Sequence, residues 1–142
     1  MRKTKTIKIQ DRAQELTFEV TEMSAVQLER WIARAFLLLA SSGVEVPDGT
    51  NIEKAATILS SKGLNILSSI DYEKAEPLLN ELLGCCSRVV EGVREKCTPH
   101  ACELYIFEVA TLLKLKKEAL ELNLGFLSGG IGNLFGSQEK AS

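Results

Sequence analysis

The stretch TFEVTEMSAVQLERWIARAFLLLA, Thr17 to Ala40, changes its period once, and that change decides the fold. At its start Phe18 and Val20 alternate with Thr17, Glu19 and Thr21, the period of two of a half-buried strand. Beyond Ser24 the apolar residues Leu28, Trp31, Ile32, Ala35, Phe36 and Leu39 recur three and four apart, which gathers them on one face of an α-helix. Ser24-Ala25-Val26-Gln27 reads as a capping box, the serine oxygen accepting the Gln27 amide and the glutamine reaching back, with Met23 as the staple. Gly43 is the expected stop. A weaker second stripe, Val26, Ala33, Leu37 and Ala40, runs along the same helix.

Upstream, residues 4–10 also alternate, with Ile7 and Ile9 on one face, and residues 11–14 form a polar turn before Leu16, Phe18 and Val20. The two runs predict a β-hairpin, marginal alone, that must rest its apolar face on a helix.

Downstream, Pro47-Asp48-Gly49 is a turn by composition, residues 52–62 form a short helix closed by Gly63, and residues 64–70 fit helix or loop. Asp71 is the N-cap of a helix whose apolar face is Leu78, Leu79, Leu82 and Leu83, ending at Gly84. Pro77 belongs in its first turn, or the helix begins just before it. Residues 85–102, with Pro99 and several β-branched residues, read as loop with short extended pieces.

The last helix, residues 107–124, carries two apolar sectors. One holds Leu112, Leu115, Ala119, Leu122 and Phe126; the other holds Val109, Leu113, Leu120, Leu124 and Leu127. A helix at the edge of a small domain buries an arc of about 100°. The second sector therefore awaits another part of the chain, a second copy or a partner, and Val109, Leu113, Leu120, Leu124 and Leu127 are the candidate partner-binding residues. Burial on both sides inside a compact bundle fits the same pattern. The expected fold is α+β and predominantly α-helical, an N-terminal β-hairpin packed on a small helical bundle. It forms one domain, residues 1–127, followed by a Gly-rich tail, residues 128–142, in which Ile131, Leu134 and Phe135 are apolar.

Composition narrows the function classes. The 142 residues, 45% apolar and 25% charged, suit one globular domain rather than a disordered chain. A net charge of −2 gives no field for nucleic acid phosphates, although Arg2, Lys3, Lys5, Lys8 and Arg12 make the first residues locally basic. The N-terminus lacks the apolar block of a secretory signal, and the longest apolar run, Ala35 to Ala40, is far short of the ~20 residues that cross a bilayer. A cytosolic protein with reduced cysteines is expected.

Cys85, Cys86, Cys97, His100 and Cys102 form the tightest polar cluster. Adjacent cysteines and a Cys-x-x-His-x-Cys run do not have the spacing of paired zinc knuckles. A cysteine nucleophile with His100 as base lacks an orienting carboxylate and an oxyanion-forming turn. The glycines of residues 128–136 follow no strand and open no helix, so they do not make a phosphate loop. No catalytic, cofactor or metal site is expected, and the chain reads as a binding protein rather than an enzyme.

Three segments resemble phage tail assembly chaperones of long-tailed bacteriophages: Thr17 to Ala40, LLNELLGCC at Leu78 to Cys86, and TLLKLKKEALELNLGFL at Thr111 to Leu127. The resemblance rests on layout and helix texture and does not extend to residues 91–105. It implies a protein made in the infected bacterial cytoplasm and absent from the mature virion. Such a protein coats the tape measure protein and helps recruit major tail protein; the two apolar sectors of the last helix add self-association, one serving a neighbouring copy and the other the client, and the charge and apolar run lengths give no nucleic acid or membrane partner. It also implies that this is the shorter of two products of a ribosomal frameshift near the gene's end. Two other readings remain: a structural tail completion or connector protein, and a small zinc-dependent regulatory module built on residues 85–102.

Overall fold

In the computed structural model, which describes residues 2–41 and 71–125, a four-stranded antiparallel sheet organises the chain. The strands are β1 (Thr4–Asp11), β2 (Gln14–Thr21), β3 (Cys86–Val90) and β4 (Val93–Lys96), side by side in that order. Helix α1 (Ala25–Ser41) and helix α2 (Tyr72–Leu83) precede β3; the single turn α3 (Pro99–Cys102) and helix α4 (Val109–Gly125) follow β4. The turn at residues 47–49, the helix at 52–62, the stop at Gly43, Phe126, Leu127 and the tail at 128–142 lie outside the described residues.

The hairpin pairs Ile7 with Phe18 and Ile9 with Leu16, which puts all four on the inner face. Its two-residue loop places Arg12 at φ 55°, left-handed backbone that costs a non-glycine residue on the order of 1 kcal/mol.

The expected helical bundle is not what the chain builds. Residues 86–96 form a second hairpin that extends the sheet, with Phe18 opposite Arg88 and Val20 opposite Cys86. Helix α4 packs on the sheet, α2 packs on α4 and α1 on α2, so the helices do not close into a bundle, and the architecture is mixed α+β. The loop of this hairpin is Glu91-Gly92, both at positive φ, the conformation of a tight turn matched to strand twist.

The capping prediction for α1 holds in its first half. Ser24 Oγ accepts the Gln27 amide at 3.1 Å, but the Gln27 side chain reaches Glu81 on α2 instead of returning to Ser24. Arg34 meets the same Glu81 at 2.7 Å, so one carboxylate ties α1 to α2. The fully buried Trp31 donates its indole N–H to the Leu78 carbonyl across that contact. Asp71 caps α2 through the Glu73 amide, and Pro77 lies inside the helix rather than in its first turn. The carbonyl that Pro77 leaves without its usual partner is that of Glu73, which is exposed, so water can serve it.

Two buried polar residues fix α4 on the sheet. At its start, Asp11 at the end of β1 accepts from the Phe107 amide (2.9 Å), the Glu108 amide (3.0 Å), the Thr111 hydroxyl (2.7 Å) and the Gln14 side chain (3.1 Å). Near its end, Asn123 accepts the Met23 amide at 2.7 Å and donates to the Ala119 carbonyl and to Cys85 Sγ. Between them Lys5 pairs with Glu118 at 2.7 Å. Asn123→Leu, close in size but unable to accept, leaves the Met23 N–H unpaired in the core. A loss of about 2–3 kcal/mol is expected in urea unfolding, against less than about 1 kcal/mol for an exposed change such as Glu121→Gln.

Candidate interaction surface

Helix α4 buries different arcs along its length. Thr111, Leu115, Ala119 and Asn123 follow one another at four-residue spacing down the line that faces the sheet and are all buried. Leu112 and Leu122 beside them are partly buried and pack on the core. The first predicted sector is therefore the core face.

The second sector divides. Leu120 is 4% and Leu124 0% exposed, whereas Val109 is 71% and Leu113 53% exposed. The cause is the neighbourhood: α2 packs against α4, and Cys85, just beyond α2, meets Asn123, so the C-terminal half of the sector is covered from within. Among the described residues no such cover reaches the N-terminal half. Of the five candidate partner-binding residues, then, Val109 and Leu113 are available, Leu120 and Leu124 belong to the core, and Leu127 lies outside the described residues. Sequence reasoning missed Leu104 and Phe107, which are also exposed just before this half of the helix. The signal was present, since both are large apolar residues in a segment that carries no periodicity of its own. Further exposed apolar side chains are Val26 and Leu37 on α1, Tyr72 on α2, and Val90 and Val93 at the β3–β4 turn.

The cysteines are all free thiols with separate packing roles. Cys86 faces the Leu115 carbonyl, and burial pushes its pKa up to about 12. Cys97 and Cys102 flank the Tyr105 hydroxyl at 3.5 and 3.8 Å. Cys97 and Cys102 act on one another across this hydroxyl, which raises the Cys97 pKa and, against the opposing effect of burial, lowers that of Cys102. Arg88 stacks over the Tyr105 ring at 4.2 Å, and its buried Nε has no hydrogen-bond partner among the described residues. His100 is exposed on α3, whereas Cys102 in the same turn is buried. Among the described residues no group of three His, Cys, Asp or Glu side chains is placed to share a metal ion.

No helix among the described residues is long and apolar enough to cross a membrane. The chain matches no family model, no curated protein and no solved structure.

Proposed function

We propose that this protein is a tail assembly chaperone that covers the tape measure protein of its phage, helps recruit major tail protein around it, and works in the bacterial cytoplasm as an oligomer. The observation that carries the reading is the open N-terminal half of α4. Val109 and Leu113 stand one turn apart on a rigid helix, with Leu104 and Phe107 exposed immediately before them. A long amphipathic helical client offers the matching surface, and helix-against-helix contact needs apolar anchors at this spacing. Each side chain buried at the contact contributes on the order of 1–2 kcal/mol before association costs. One copy therefore binds weakly, and stable coverage comes from many copies along one rod.

The test is co-expression with the tape measure protein of the same phage. The wild type is expected to keep the client soluble and to co-purify with it. Leu113→Asp and Val109→Asp, both at exposed positions, are expected to leave the thermal midpoint within about 2 °C of wild type. Each should reduce soluble client severalfold. A wild-type chain that leaves client solubility unchanged would end this reading. Stoichiometric recovery of the chain from purified particles by mass spectrometry would instead favour a structural tail component.

A further inference from the structure

We propose that the open edge of β1 binds an extended acidic peptide segment of another protein as a fifth strand of the sheet. The inference concerns a different surface from the client-binding face and does not depend on that reading.

β1 is an edge strand of eight residues, and among the described residues nothing pairs with its outer side. The phase of its hydrogen bonds follows from the Glu22 amide, which donates to the Lys3 carbonyl at 3.0 Å. With the register of the hairpin, the backbone groups of Lys3, Lys5, Ile7 and Ile9 then point to β2. Those of Thr4, Thr6, Lys8 and Gln10 point outward as an unfilled ladder. A groove of about 460 Å³ runs along this edge, with Lys8, Gln10 and Arg12 on one side and Ala110, Thr111 and Lys114 of α4 on the other. A strand added here has alternate side chains on the Lys8 face and in the groove toward Ala110.

Charge selects the occupant. Lys3, Lys5 and Lys8 follow one another along the strand, Arg12 comes in the turn after it, and Lys114 adds to them from α4. Glu118 is shared between Lys5 and Lys114, and Glu108 pairs with Arg12; Lys3 and Lys8 have no ionic partner among the described residues. A second copy of β1 would set these cations against their own kind, which is how edge lysines prevent self-pairing. An acidic strand meets Lys3 at one end and Lys8 near the middle of β1, and the main-chain ladder supplies the rest of the contact.

The probe is an eight-residue peptide alternating glutamate and valine, added to the full chain, with its lysine–valine counterpart as control. Fluorescence anisotropy gives affinity, and amide exchange by NMR reads the edge directly. Binding of the glutamate peptide is expected to protect the amides of Thr6, Lys8 and Gln10. Lys8→Glu should weaken it about tenfold, and the lysine peptide should bind at least about tenfold less tightly. Lys8→Pro removes an outward N–H without touching the ladder to β2 and should abolish binding with an unchanged circular dichroism spectrum; if it does not fold, Lys8→Glu decides. Four results would each overturn the proposal: no edge protection with the peptide, equal binding of the lysine peptide, edge amides already protected in the free chain, or a dimer that Lys8→Pro dissolves.

Discussion

Asp11→Ala will lower the unfolding free energy by about 3–5 kcal/mol and the thermal midpoint by about 10–15 °C. The side chain is 0% exposed and is the acceptor for two backbone amides, a hydroxyl and a side-chain amide. Alanine removes the acceptor and leaves those donors in a space that the short side chain does not open to water, and each unpaired buried donor costs about 1–3 kcal/mol. The loss also has a structural address. Phe107 and Glu108 lie at the start of α4, where a helix has unpaired N–H groups and favours negative charge. Without Asp11, hydrogen exchange should rise first in the opening turn of α4 and at the β1–β2 loop. Uniform exchange across the chain would contradict this placement.

The same carboxylate gives an acid dependence of definite sign. Burial pushes the Asp11 pKa up, and the hydrogen bonds from Thr111, the Phe107 amide, Gln14 and the Glu108 amide together outweigh it, so the folded-state pKa lies below the ordinary 3.8. A group held lower in the folded state stabilises fully above its unfolded pKa and loses that stabilisation as pH falls through the folded value. The wild type should therefore lose stability below about pH 4. Asp11→Asn, which keeps one acceptor oxygen, should cost about 2 kcal/mol at pH 7 and flatten the curve in that window. Glu118, lowered first by its hydrogen bond to Lys5, keeps part of the slope. An unchanged acid limb in Asp11→Asn would assign the dependence to other carboxylates.

Where the sequence was readable, one face of each element was buried and the other wet. The N-terminal hairpin shows this, with Ile7, Ile9, Leu16, Phe18 and Val20 alternating against polar neighbours, and so does the Asp71 cap of α2. The second hairpin failed the same reading because all of β4 is exposed, so Val93 to Lys96 carries no alternation to detect. Glu91-Gly92 between Val89-Val90 and Val93 was the available signal. Asp11 was read as a turn residue because its partners on α4 and just before it lie almost a hundred positions away, and nothing local marks a cap supplied from so far. Periodicity on α4 separates two apolar sectors but does not say where along the helix a neighbour covers one of them. That is a property of the surrounding packing, not of the helix.

This division makes a sharp contrast between two aspartates on one stripe. Leu124→Asp puts a carboxylate where the side chain is 0% exposed, next in sequence to the buried Asn123. The protein must either ionise the group in an apolar site or hold it protonated there. With the lost apolar burial, a penalty above about 4 kcal/mol is expected. That is comparable to the whole stability of many small domains, so the variant should be largely unfolded or insoluble at 25 °C, pH 7, and should recover partly at lower pH where the carboxyl is neutral. Leu113→Asp lies three turns earlier in the same sector with half its surface already wet, and should remain folded under the same conditions. Circular dichroism melts of the two variants measure the difference. If both fold with equal midpoints, the C-terminal half of the sector is open as well, and Leu120 and Leu124 return to the candidate binding face. If both unfold, the N-terminal half is covered by the chain itself, and the proposed client surface on α4 is lost.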